Sequence, residues 1–225
     1  MCIKKLFGAL ALLAGSSVAF AAPENITDGE LALTPAYCQD VQGIKWGDQY
    51  YNPSPRAAYW VSVMGKTFWA MHHYCWGLIH VHRAKAAGVP PTMRDAMVAS
   101  AIGDYYYVIK NATPGFIMLP EIYVRVGEAE MLRRNSVGAL EAFATSRELK
   151  PDYWPPYVRG AEVLEHLGKK VQARSLLEEG LRLMPNEPAL RMPFERLGGR
   201  LADVQPIASA RRASDAATAT DSVPQ

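Results

Sequence analysis

The feature that most limits what this chain can fold into is an internal repeat. Laying residues 120–151 on residues 154–185, an offset of 34, superposes Tyr123 on Tyr157, Gly127 on Ala161, Ala139 on Ala173, Phe143 on Leu177, Ser146 on Gly180 and Pro151 on Pro185. Each pair agrees in size or type. A period of this length marks a helical hairpin whose small residues let two helices touch closely and whose proline ends the second helix. The expected class is therefore all-α, built as a solenoid of stacked hairpins.

With Tyr123 and Tyr157 near the start, small residues at the eighth, twentieth and twenty-seventh positions and a closing proline, the pattern resembles the tetratricopeptide repeat (TPR). It covers about 120–153 and 154–187 and departs from the family at Glu130 and Gly160, where large apolar or aromatic residues are usual. The resemblance implies a right-handed solenoid and a partner-binding scaffold in which the first helix of each hairpin lines a concave groove. Transferred residue by residue, that surface holds Glu121, Val124, Glu128, Met131 and Leu132, then Pro155, Val158, Glu162, Glu165 and His166. Glu128 and Glu162 stand at the ninth positions, where a family subset that grips a terminal carboxylate needs cations, so that activity is not expected. An acidic groove with apolar steps suits a basic or amphipathic segment of another protein. The same glutamates also fit a solvated helix face paired with Arg125, Arg159 and Lys169.

Two repeats bury too little to stand alone, so each end needs a cap. On one side, Ser54-Pro55-Arg56 reads as a helix start, and a helix can run to Ala87, broken near Gly65 and stopped by Gly88 and Pro90-Pro91. Thr92 is placed to cap a second helix over about 93–112, and residues 56–115 form an atypical hairpin. On the other side, residues 188–200 supply a terminal helix. From 201 to 225 the chain lacks aromatic residues and reads as a disordered tail. Residues 22–55 lack a period and read as coil, although Tyr37, Trp46, Tyr50 and Tyr51 need burial.

Residues 1–21 combine Lys4 and Lys5, a short apolar run and an Ala-Phe-Ala end, which describes a secretory signal peptide cleaved near Ala21. A soluble periplasmic protein is expected, with no membrane span. Removing Lys4 and Lys5 from the 24 basic residues leaves 22 against 22 acidic, a neutral chain with no electrostatic footprint for nucleic acid. Cys2 leaves with the signal, so Cys38 and Cys75 remain, and an even count in an oxidising compartment favours a disulfide over a reactive thiol.

Four of the five histidines lie between His72 and His82, beside Trp69 and Trp76. On one helix His73 and His80 share a face two turns apart, about 10.5 Å, while His72 and His73 diverge by about 100°. No i, i+4 pair is present, so no metal site is expected, and an aromatic core under the disulfide explains the block more cheaply. A ligand site for a glycan or a metal-bearing ligand on Trp69, His72, His73, Trp76 and His80 is the alternative reading. Of Tyr105, Tyr106 and Tyr107, at least one must face outward. No nucleophile elbow, zinc-protease motif or phosphate loop occurs, and no cofactor is expected. The least poor acid–base set is His72 and His73 with Asp48 or Asp104. The leading reading is a periplasmic scaffold that holds another envelope protein and does no chemistry of its own.

Overall fold

Helices in this chain start and stop where prolines, glycines and caps put them. The computed structural model describes residues 22–41 and 54–207, and among these every regular element is helical. The expected signal peptide, the stretch 42–53 with Trp46, Asp48, Tyr50 and Tyr51, and the tail from 208 lie outside the described residues.

The N-terminal stretch expected as coil holds a short helix, α1 (Asp28–Ala32), and a 3₁₀ turn over Ala36–Gln39. A capping box between Thr27 and Glu30 starts α1, a local signal strong enough to act without an apolar period. Helix α2 (Ala57–Met64) ends at Gly65, whose φ of 65° suits glycine, and a 3₁₀ turn then leads into α3 (Met71–Ala84). The expected break near Gly65 is therefore present. Helix α4 (Pro91–Asn111) is entered through Pro90 and Pro91, so Thr92 falls inside its first turn and makes no capping bond.

Next come α5 (Leu119–Leu132), α6 (Ser136–Leu149), α7 (Pro155–His166), α8 (Lys170–Leu183) and α9 (Pro188–Arg196). Each helix from α3 onward packs on the next, and α5 also touches α7 as α7 touches α9. The matched small positions are where helices come closest. A methyl on Gly127 would overlap the Phe143 ring, and one on Gly180 would lie 3.0 Å from Tyr157 Cγ. Ala139, Ala161, Ala173 and Ser146 are buried, and the Ser146 hydroxyl donates to the Pro120 carbonyl at 2.8 Å. The two departures have local uses. Glu130 accepts from the Asn135 amide, which caps α6, and Gly160 makes room for Leu176.

The main core runs from Tyr37, Cys38 and Val41 through α3, α4 and α5. Tyr157, Leu177, Leu181, Leu190 and Phe194 form a second cluster, and Val124, Phe143 and Val163 lie between the two. Helix α9 closes the second cluster. Leu201 and Val204 pack on it too, and the Ile207 N–H donates to the Arg182 carbonyl at 2.9 Å, so the tail begins as ordered chain rather than at 201.

At the other end, a disulfide joins Cys38 to Cys75, both fully buried, with Cα atoms 5.7 Å apart. Arg83 adds a second attachment, bonding the Glu30 carboxylate and the carbonyls of Glu24 and Asn25. Asp40 adds a third, accepting from Ser54, Arg56 and Trp60. No helix among the described residues is long and apolar enough to cross a membrane.

Candidate functional site

Helix α5 is covered by α4, α6 and α7, which leaves a narrow stripe open at Glu121, Arg125 and Glu128. Helical spacing puts these three on one face, and they bind each other. Arg125 donates to Glu121 at 2.7 Å and to Glu128 at 2.9 Å. From α7, Arg159 reaches back to Glu128 at 2.9 Å and holds Glu162 at 2.9 Å. From α9, Arg196 clasps Glu165 with two bonds of 2.7 Å, which hold that carboxyl below the usual carboxylate range. Each of the four glutamates in the expected groove thus has an arginine partner. Three arginines offset most of the charge of the four glutamates, because arginines one turn away or one hairpin on reach the same carboxylates.

Of the other transferred groove positions, Val124 needs correction. Val124 is buried among Ala139, Phe143 and Val163, and Val158 packs half-buried on the Tyr157–Leu177 cluster. A helix flanked on three sides cannot present as wide a face as a fixed repeat spacing suggests. Leu132 packs against the main core, and Pro155 opens α7 at its first position. Met131, half-buried, lines a hollow of about 400 Å³ with Glu128, Arg159, Glu162 and His166.

A larger cavity, about 720 Å³, went unread in the sequence because one of its walls is the aperiodic N-terminal segment, from Ala32 to Tyr37. Tyr74 and Leu78 of α3, Met118 and Pro120 at the start of α5, and Tyr153 before α7 complete it. Glu121 is its polar centre, accepting from Arg125, from the Tyr74 hydroxyl at 3.1 Å and from the Tyr153 hydroxyl. The Tyr37 hydroxyl is buried and has no hydrogen-bond partner. Burial raises the pKa of Tyr37, Tyr74 and Tyr153, so all three are protonated donors at neutral pH. Through the Arg125–Glu128 bond this cavity adjoins the smaller hollow along α5 and α7.

The histidine block turns the other way. His73 Nδ1 donates to Asp104 Oδ1 at 2.6 Å, and His80 Nε2 lies 3.8 Å from Oδ2 of the same fully buried carboxylate. Burial raises the Asp104 pKa, and its Oδ2 accepts no hydrogen bond. His72 Nδ1 donates to the Trp69 carbonyl at 2.8 Å, and burial lowers this imidazole to about 4. The 100° divergence expected of His72 and His73 is offset by their side chains, for the ring centroids stand 4.5 Å apart, with Trp76 edge-on to both. Tyr107 stacks on His73 at 3.8 Å, half-exposed like Tyr106, while Tyr105 is buried against Gly77. Trp69 remains partly exposed. These residues pack and bond to one another. Among the described residues no three His, Cys, Asp or Glu side chains are grouped to hold a metal ion. Asp104 was in the acid–base set read from the sequence, and Asp48 lies outside the described residues.

No known protein family matches the chain, and no curated protein does either.

Proposed function

We propose that the protein is an exported, TPR-like scaffold, at work in the periplasm, that holds an amphipathic segment of another envelope protein along α5 and α7. The observation that carries this reading is the open stripe on those helices, which adjoins a hollow of about 720 Å³ with aromatic and apolar walls and one of about 400 Å³ whose charged lining also includes Met131, Phe143 and Val163. Three features support it further. The 34-residue period places small residues at helix contacts, as a repeat scaffold requires. A buried disulfide suits an oxidising compartment. The charges along the stripe already satisfy one another, so apolar contact rather than a basic run would drive association. Glu128 and Glu162 then act as rim and register, and the partner segment is amphipathic rather than basic.

Photo-crosslinking in living cells tests this, with the reactive residue placed at Glu162 and, separately, at Ile117, which is exposed beside the larger cavity. The expected result is one discrete exported protein attached at both positions. No adduct at either, from folded and exported protein, would remove the groove from consideration.

A further inference from the structure

The smaller hollow, about 400 Å³, lies where the end of α3 meets α5 and α7. Met131, Phe143 and Val163 give it an apolar floor, and its walls are charged. The acceptors on those walls are engaged. Glu128 Oε2 accepts from Arg125 and Oε1 from Arg159, and both oxygens of Glu162 accept from Arg159 Nη1. Two donor groups are not. Lys85, which caps α3, and His166, the last residue of α7, are exposed and make no hydrogen bond or ion pair among the described residues.

This inventory selects one sign and one size of charge. A cation entering the hollow would meet Lys85 and Arg159 and find each carboxylate oxygen already bonded. A phosphate dianion would double the repulsion from Glu128 and Glu162. A carboxylate brings a single charge and two acceptor oxygens, which suit one ammonium and one imidazole N–H. The apolar floor takes the methylene groups and the neighbouring residue that come with it. We infer that the smaller hollow receives an acidic side chain, Asp or Glu, of the bound amphipathic segment, its carboxylate accepting from Lys85 Nζ and the His166 ring. The inference rests on the groove reading above and names a residue type the partner carries. Such a contact at the rim fixes the register of the segment along α5 and α7.

The test uses short blocked peptides and the full oxidised chain at low ionic strength, followed through its amide resonances. N-acetyl-leucyl-glutamyl-amide is expected to bind saturably and to shift resonances of Lys85, Met131, Val163 and His166. N-acetyl-leucyl-glutaminyl-amide and N-acetyl-leucyl-lysyl-amide are expected to bind about threefold to tenfold more weakly, a preference that salt erodes. Lys85→Met, an exposed change, should weaken the glutamyl probe about twofold to fivefold while leaving the glutaminyl probe and the rest of the spectrum as they were. Lys85→Arg should keep the preference. Equal binding of the glutamyl and glutaminyl probes, or a preference untouched by Lys85→Met, would overturn the site. N-acetyl-leucyl-leucine with a free carboxyl end, bound as well as the glutamyl probe, would overturn the assignment to a side chain in favour of a chain terminus. A partner crosslinked at Glu162 without any preference among the probes would leave the groove standing and sink the acidic contact, while a clear preference without a crosslinked partner would do the reverse.

Discussion

Arg134 occupies the left-handed region at φ 62°, and Gly168, its counterpart one repeat later, does so at φ 74°. Only glycine takes that conformation freely, so the first hairpin turn carries strain the second avoids. Arg134→Gly is expected to stabilise the protein by up to about 1 kcal/mol in urea unfolding, and Gly168→Arg to destabilise it. Gly127→Ala forces a methyl into the buried Phe143 ring and should cost about 1–3 kcal/mol, whereas Gly29→Ala, which meets nothing closer than 3.9 Å, should cost nothing. His72 gives a pH signature. Burial holds its folded pKa near 4, below the ordinary value of about 6.5. Between those values the unfolded chain takes up a proton that the folded protein refuses, so stability is full above about pH 6.5 and falls as the pH drops toward 4. His72→Gln, which can still donate to the Trp69 carbonyl, should flatten that slope in unfolding midpoints measured from pH 4 to 7. Much of this residue-level detail was legible from the chain. The offset of 34 picked out Gly127 and Gly180, and residue count with compartment paired Cys38 and Cys75. Arg125 and Arg159 were legible as partners of the groove glutamates, whereas Arg196, which holds Glu165 where Lys169 was expected to help, was not, because it reaches in from α9 and a one-dimensional face assignment sees each helix alone.

Among the elements, the N-terminal segment was the least readable and matters most to the cavity. Helix α1 and the turn over Ala36–Gln39 show no apolar period, yet Tyr37, Cys38 and Val41 enter the main core, and Ala32 to Tyr37 wall the large cavity. The disulfide holds that wall against α3. It closes a sequence separation of 37, and replacing both cysteines by alanine should cost about 3–4 kcal/mol and lower the Tm by roughly 10 °C while the helical circular dichroism stays. The wall is then held by the Arg83 and Asp40 bonds and by the packing of Tyr37 and Val41 in the core. Helix limits were far easier to read, because Gly65, Pro90 and Pro91 punctuate the chain by backbone geometry alone. Thr92 misled because a capping residue counts only where no stronger entry signal precedes it.

For the whole molecule, the decisive element is the one at the far end. Leu190 and Phe194 close the cluster formed by Tyr157, Leu177 and Leu181, so Phe194→Ala should cost about 3–5 kcal/mol, as large as any single core truncation here. That loss should appear as a lower urea midpoint with an unchanged slope, provided the hairpins unfold together. The need for a cap at each end was legible from the repeat number, whereas the order of the chain past Leu201 was not, since Val204 and Ile207 hold on by one cluster and one backbone bond. Glu128 to Arg159 and Glu165 to Arg196 span the same 31 residues, each tying one hairpin's first helix to the next. These ties work like rungs between neighbouring vertebrae. They lie near the surface, where dissolved ions weaken them, so the ionic strength of the medium sets how stiffly α5, α7 and α9 are held to one another.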